Sequence, residues 1–262
     1  MILEIYIGTV IFIIGLVFGS FFNVVGYRLP NNMSIIYPNS SCTNCGHRLK
    51  FYELIPVISY IFLKGKCKCC KKKISIFYPF FELLTAILFL ISYLIFGLNM
   101  KFVIAITFIS ILIIISISDI KYYIIPDEVL IVGVILILIE YIINMFINDL
   151  SFIDAFVTPL LNALGSFIGL YLFKLMGDYM FKKESLGGGD IKLMFLIGLV
   201  LGFDMSIVTL FIAAFVALPL SIIDLLKKDS NVLPFGPYLS IASLIILFFN
   251  LNLDKVLAMF TN

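Results

Sequence analysis

The sequence predicts an all-α polytopic membrane protein of about eight transmembrane helices with one small cytoplasmic loop domain. Three observations predict it. Of the 262 residues, 62% are hydrophobic and only 13% are charged, with a mean hydropathy of +1.17. The hydrophobic residues gather into eight long apolar runs. The basic residues fall almost entirely on alternate connections between those runs. A soluble domain with so few charges would expose large apolar patches, so lipid is the main solvent. A net charge of +2 gives no reason to expect a nucleic acid partner.

The first run, Ile5 to Tyr27, holds 23 residues without a charge, and about 20 suffice to cross the hydrocarbon core. A cleaved signal peptide would open with basic residues and close on a small-residue cleavage site. Here Glu4 precedes the run and Arg28 ends it, so the expectation is a retained transmembrane helix. Further runs lie at roughly 80–98, 102–118, 129–147, 155–176, 193–203, 205–223 and 237–250. The run at 193–203 would make a helix of only about 17 Å. It reads as a short span or a re-entrant segment, with Gly198 and Gly202 allowing close packing.

Orientation follows from the positive-inside rule. With Arg28 on the cytoplasmic side, all of the 18 basic residues except Lys101 and Lys255 fall inside, and both termini face out. Removing any one span would spoil that separation. The chain thus divides into a first helix over 1–27, a polar and basic cytoplasmic loop over 28–77, and a membrane domain over 78–262. No Gly/Ser-rich linker and no sequence repeat is evident.

Within the loop, Cys42, Cys45, Cys67 and Cys70 form two CxxC pairs separated by 21 residues. Four thiolates in this pattern suit structural tetrahedral zinc. Nearby Lys64, Lys66, Lys68 and Lys71 would offset the negative charge of such a centre. A loop of this size has little core of its own, so a metal staple meets a physical need. Two disulfides or free thiols are the alternative, and a cytosolic location argues against disulfides. Cys69 and His47, the only histidine, are read as bystanders.

Two aspartates then stand out. Asp119 ends the third span and opens SDIKYYIIPDE, and Asp190 ends GGGD at the start of the short sixth span. The topology puts both at the cytoplasmic face although 71 residues separate them. A carboxylate at the hydrocarbon edge loses solvation and marks a functional site by default. Two held close cannot both ionise easily, so one takes a proton from water while the protonated one polarises a carbonyl, which is acid–base peptide hydrolysis. Either could instead be a helix cap, and Asp127 after Pro126 looks like a cap for the fourth span. Gly187, Gly188 and Gly189 would free the backbone before Asp190 and admit a close neighbour. Lys192 would steady the charge or snorkel to the interface. Glu140, inside the fourth span, would snorkel or hydrogen-bond within the bundle.

In chain order these motifs resemble the bacterial prepilin peptidases, the type IV leader peptidase/N-methyltransferase family. GSFFNVVGYRLP (19–30), CTNC, GHRLKFYELIPVISYIFLKGKCKCC, YPFFE (78–82), DIKYYIIPD, KESLGGGDIKLM and PFGPYL (234–239) are each similar to a family motif. Phe51 and Leu54 depart from it, standing where the family often has Trp and Asn, and Gly188 turns the usual GxGD into GGGD.

The resemblance implies a multi-pass enzyme of the bacterial inner membrane whose active site faces the cytoplasm. It implies an aspartic endopeptidase removing the basic leader of prepilins and pseudopilins, with Asp119 and Asp190 as the catalytic pair, in 78–262. It also implies methylation of the new N-terminal residue by S-adenosylmethionine, associated with the loop over 28–77. No G-x-G-x-x-G turn marks a methyl-donor site. Glu53 and Glu82 could face that site, or be interfacial or capping residues. Two other classes compete: a GxGD-type intramembrane protease of other substrates, and a non-enzymatic zinc-bearing membrane transporter.

Overall fold

In the computed structural model, residues 2–183, 186–227 and 233–261 are described. Glu184 and Ser185 of the glycine-rich motif, and Lys228 of the expected inner set, lie outside them. Among the described residues the chain is nearly all helical, with no strand beyond two isolated bridges. It divides into two compact units, Met1–Leu98 and Asn99–Asn262.

The first unit is built on α1 (Ile2–Arg28) and α3 (Phe77–Phe96), which run antiparallel along each other. Glu4 in the first turn of α1 and Arg28 in its last turn both complement the helix dipole. Glycines make the packing possible. A Cβ at Gly15 would come within 2.6 Å of the Ala86 Cα, and one at Gly19 within 2.8 Å of the Glu82 Cα. The two backbones therefore meet through a small-residue stripe, the usual solution where lipid supplies no hydrophobic drive. The Asn23 side chain then bonds the Tyr78 carbonyl at 3.1 Å near the loop end of the pair. Between the two helices lies the cysteine-bearing loop, which includes the short α2 (Ile58–Phe62).

The second unit is organised around α4 (Met100–Tyr122), capped at its start by Asn99, which accepts the Phe102 N–H at 3.1 Å. Its C-terminal half is buried almost without interruption from Phe108 to Asp119. Packed about it are α5 (Asp127–Ile147) and α9 (Gly236–Phe249). A π-helical turn over Ile153–Val157 leads into α6 (Thr158–Phe181), against which α7 (Gly188–Leu201) crosses closely. A Cβ at Gly198 would lie 2.6 Å from the Ser166 Cβ, so the crossing requires glycine there. Next come α8 (Phe203–Lys227), interrupted by Pro219, and a terminal α10 (Leu253–Thr261).

All eight apolar runs fold as helices, α1 and α3 to α9. Among the described residues, five helical segments are long and apolar enough to cross a membrane: Ile2–Asn31, Phe77–Phe96, Met100–Tyr122, Asp127–Ile147 and Ile153–Phe181. Helices α7 and α9 have 14 residues each, or about 21 Å, against a hydrocarbon core of about 30 Å. Both stop at left-handed residues, Gly202 (φ 87°) and Asn250 (φ 49°). Hydropathy reports that a run is apolar, but not where the backbone turns out of it.

Candidate active site

Asp119 lies in the last turn of α4 and Asp190 at the third residue of α7. Both are buried, at 5% and 8% exposure. The structure places them within electrostatic reach of each other. Each carboxyl also accepts a backbone N–H at a helix start. Asp119 Oδ2 accepts from Gly236 at 2.8 Å, at the first residue of α9. Asp190 accepts from Gly187, the residue that precedes α7. Helix N-termini favour anions at these positions. Asp190 is thus a cap, as one reading of the sequence allowed, and at the same time one half of a buried carboxyl pair.

The glycines around the pair act through space. None of Gly187, Gly188 and Gly189 has a positive φ. A Cβ at Gly189 would strike Ile125 at 2.9 Å, so α7 begins hard against the connection that follows Asp119. A Cβ at Gly236 would stand 2.8 Å from Asp119 Oδ2. Gly188, by contrast, meets nothing within 4 Å. Freedom of the backbone is therefore the wrong reading of the triplet, and close approach at Gly189 the right one. Lys192 does not touch Asp190. Its ammonium binds both oxygens of Asp127 at 2.7 Å, tying the start of α5 to the start of α7. Asp127 makes this ion pair while opening α5, with no side-chain cap hydrogen bond at the Pro126 N-cap. Glu140 accepts a hydrogen bond from Thr107 on α4.

In the first unit the four expected cysteines converge, with sulfurs all within 4.8 Å of one another. The Cys42–Cys70 and Cys45–Cys67 pairs stand at 3.9 and 4.0 Å. Tetrahedral zinc with bonds of about 2.3 Å would set sulfurs roughly 3.8 Å apart, so the donor set fits. The two CxxC turns are built alike. Cys42 donates its N–H to His47 and accepts from Gly46; Cys67 donates to Lys72 and accepts from Lys71. Gly46 and Lys71 occupy the same left-handed position, at φ 69° and 58°. This likeness is absent from the letters because one turn uses glycine and the other lysine.

Thiol chemistry also asks for a cation. Backbone N–H groups of Asn44 and Cys45 hold the Cys42 thiol down at about 7. The N–H of His47 pulls the same way on Cys45, yet desolvation and the neighbouring thiols push it up to about 12. A bound cation would offset the mutual repulsion of thiolates placed this close. Cys69 is exposed and outside the cluster. His47 turns instead to Glu53, with Nε2 at 3.3 Å from Oε2.

Glu53 and Glu82 each hold the loop in shape. Glu53 accepts the Lys50 N–H at 2.8 Å, which holds its carboxyl below the usual range, while its buried Oε1 has no partner. Glu82, on α3, accepts the Val57 N–H at 2.7 Å and a hydrogen bond from Ser20 on α1. Val57 sits at φ 59°, a costly conformation for a β-branched residue, and the Glu82 bond helps to secure it. Sequence reasoning noted both acids but missed Gly236, whose role depends on a contact 117 residues away.

Comparison with known proteins accounts for both units. Residues 13–96 match the bacterial peptidase A24 N-terminal domain, and residues 106–222 match the type IV leader peptidase family. The chain is 35% identical over 240 residues to a prepilin leader peptidase/N-methyltransferase of Bacillus subtilis, covering 90% of this chain and 92% of that protein. It is 34% identical over 189 residues to the protein of the same name from Myxococcus xanthus, covering 72% and 54% of the two chains. For the Pseudomonas putida protein the identity is 31% over 262 residues, covering 90% and 88%. No solved structure matches the chain. With a full-length relative above 30% identity, and with the two matched segments falling one in each compact unit, the chain belongs to the type IV leader peptidase family.

Proposed function

We propose that this chain is a membrane aspartic endopeptidase that removes the leader of prepilins or pseudopilins, using Asp119 and Asp190, and then methylates the new N-terminus. The reading is supported by two buried carboxyls within electrostatic reach of each other, one at the end of one helix and one at the start of another. One backbone N–H is already bonded to each. The pair shares one proton. The ionised carboxylate takes a proton from water as that water attacks the scissile carbonyl, and the protonated partner donates to the carbonyl oxygen. Collapse of the tetrahedral intermediate then breaks the C–N bond, with a proton passed to the leaving amine. The Gly236 and Gly187 amides hold the carboxyls in place through these steps, as preorganised dipoles do.

For the second reaction, S-adenosylmethionine would supply the methyl group from its sulfonium to the amine of the new N-terminus, the S–C bond breaking as the N–C bond forms, with S-adenosylhomocysteine and a proton released. Glu53 and Glu82 are the acidic candidates for that site. Zinc, held by Cys42, Cys45, Cys67 and Cys70, is structural, since all four tetrahedral positions are protein sulfurs. The active site faces the cytoplasm of a bacterial inner membrane, in keeping with the distribution of basic residues. A transporter would string acidic groups through the bilayer, whereas these two cluster at helix ends.

Incubation of the purified enzyme with a synthetic prepilin leader and methyl donor, followed by mass measurement, tests the proposal. The expected products are the released leader and a mature peptide heavier by one methyl group. Asp119→Asn and Asp190→Asn should each lower cleavage by about 1000-fold or more, and the double variant should be little worse, because the pair works as a unit. Full cleavage by either single variant removes the mechanism. Cleavage indifferent to the leader junction favours a broader intramembrane protease.

A further inference from the structure

The loop between α1 and α3 combines two surface features that neither the peptidase site nor the cysteine cluster uses. The first is charge. Between residues 29 and 81 stand Arg48, Lys50, Lys64, Lys66, Lys68, Lys71, Lys72 and Lys73 against one acid, Glu53, an excess of seven positive charges. All eight cations are exposed, and Glu53 is buried. Four metal-bound thiolates would cancel about two of those charges. The second feature is apolar. Phe51, Ile61 and Phe62 are 86%, 66% and 82% exposed, large apolar side chains held out from the loop.

The two features are adjacent. Lys68 lies over the Tyr52 ring at 4.7 Å and bonds its hydroxyl at 2.9 Å, which puts a cation beside the Phe51–Tyr52 pair. Ile61 and Phe62 close α2, and Lys64 and Lys66 follow directly. Tyr60 packs on Gly65 and bonds the Ile74 carbonyl, so α2 is fastened to the lysine-bearing turn. The loop also leaves and rejoins the same end of an antiparallel pair of membrane helices, at Arg28 and Phe77. Exposed aromatics ringed by lysines, held beside a bilayer, match the chemistry of an anionic lipid surface.

We infer that the cysteine-bearing loop docks on the membrane, with Phe51, Ile61 and Phe62 dipping into the headgroup boundary and the surrounding lysines bound to anionic lipid. The occupant is the lipid leaflet, because the patch is cationic at its rim and its two ends are anchored in that membrane. Docking fixes the height of the loop above the bilayer. That restricts where a membrane-held peptide end can be presented to it, and this consequence rests on the proposed methylation.

The chain contains no tryptophan, so one introduced residue reports alone. The full-length enzyme carrying Phe62→Trp, and separately Phe51→Trp, is reconstituted in vesicles of phosphatidylcholine with and without phosphatidylglycerol. Zinc content confirms that the loop is folded, and Phe18→Trp on α1 serves as the lipid-exposed standard. The expected result is blue-shifted emission that brominated lipid quenches. Quenching should be greater with phosphatidylglycerol and should fall at about 1 M salt, where charges are screened beyond about 3 Å. Adding Lys72→Glu and Lys73→Glu should abolish the phosphatidylglycerol effect while zinc stays bound. Emission typical of water, without quenching, overturns the inference. Blue emission without quenching means protein covers the face and overturns it too. Quenching indifferent to anionic lipid, salt and the lysine variants overturns the electrostatic half and with it the stated surface. None of these readouts depends on cleavage, so failure here is distinguishable from failure of the peptidase proposal.

Discussion

Asp119 and Gly236 form one device. The amide of Gly236 binds the carboxylate, and the missing Cβ of the same residue leaves room for it. Alanine at 236 would push a methyl group to 2.8 Å from Oδ2, so the carboxyl or the start of α9 must shift. Displacement of a catalytic group by about 1 Å costs on the order of 100-fold in rate. Gly236→Ala should lose cleavage on that scale, and so should Gly189→Ala, whose Cβ meets Ile125 at 2.9 Å. Gly188→Ala meets nothing within 4 Å and should cleave like the parent. Comparing kcat for the three variants at equal yield checks the ordering. A loss confined to Gly188→Ala would mean that the triplet serves substrate passage rather than packing. None of this is legible in the letters GGGD or PFGP. A pattern marks glycines as tolerated, and only the fold shows which one has a carboxylate or an isoleucine against it.

At the scale of elements, what could be read in advance was whatever one segment determines by itself. Asp119 and Asp190 stand out because a charge at the edge of an apolar run is costly wherever the run ends up. The cysteines stand out because two CxxC turns need only a metal between them. How far the shorter runs reach depends on backbone termination, at Gly202 and Asn250 for α7 and α9, which hydropathy does not register. The Asp127–Lys192 pair was likewise hidden, since it joins the starts of α5 and α7 across 65 residues. That pair is half-exposed on both sides, so its worth in stability is small, about 0.2–1 kcal/mol. Its use is alignment of the helix starts on either side of the site. Lys192→Met should therefore leave the melting temperature nearly unchanged and lower cleavage by a few-fold, about the factor that 1 kcal/mol represents. The swap Asp127→Lys with Lys192→Asp should recover part of the loss. A large drop in melting temperature without a change in rate would show the pair to be structural only.

At the scale of the whole molecule, the two candidate sites lie in different compact units. Cysteines 42, 45, 67 and 70 lie in Met1–Leu98, with Glu53 and Glu82, while both aspartates and their glycines lie in Asn99–Asn262. The loop has little apolar core, and its exposed face makes it dependent on the four sulfurs for shape. The second unit has a continuous core along α4 that owes nothing to the metal. Removing the metal should thus separate the activities. Treatment with a strong zinc chelator, or the Cys42→Ser or Cys70→Ser variant, should abolish methylation of a pre-cleaved peptide and leave most cleavage intact. Both are measured on one preparation, with zinc content as the control for removal. Binding energies of structural zinc, about 10 kcal/mol or more, are folding energy for the segment that holds it, so partial effects on methylation are not expected. Equal loss of both activities would mean that the cysteine centre holds the entire enzyme together, and the division into independently stable units would have to be abandoned.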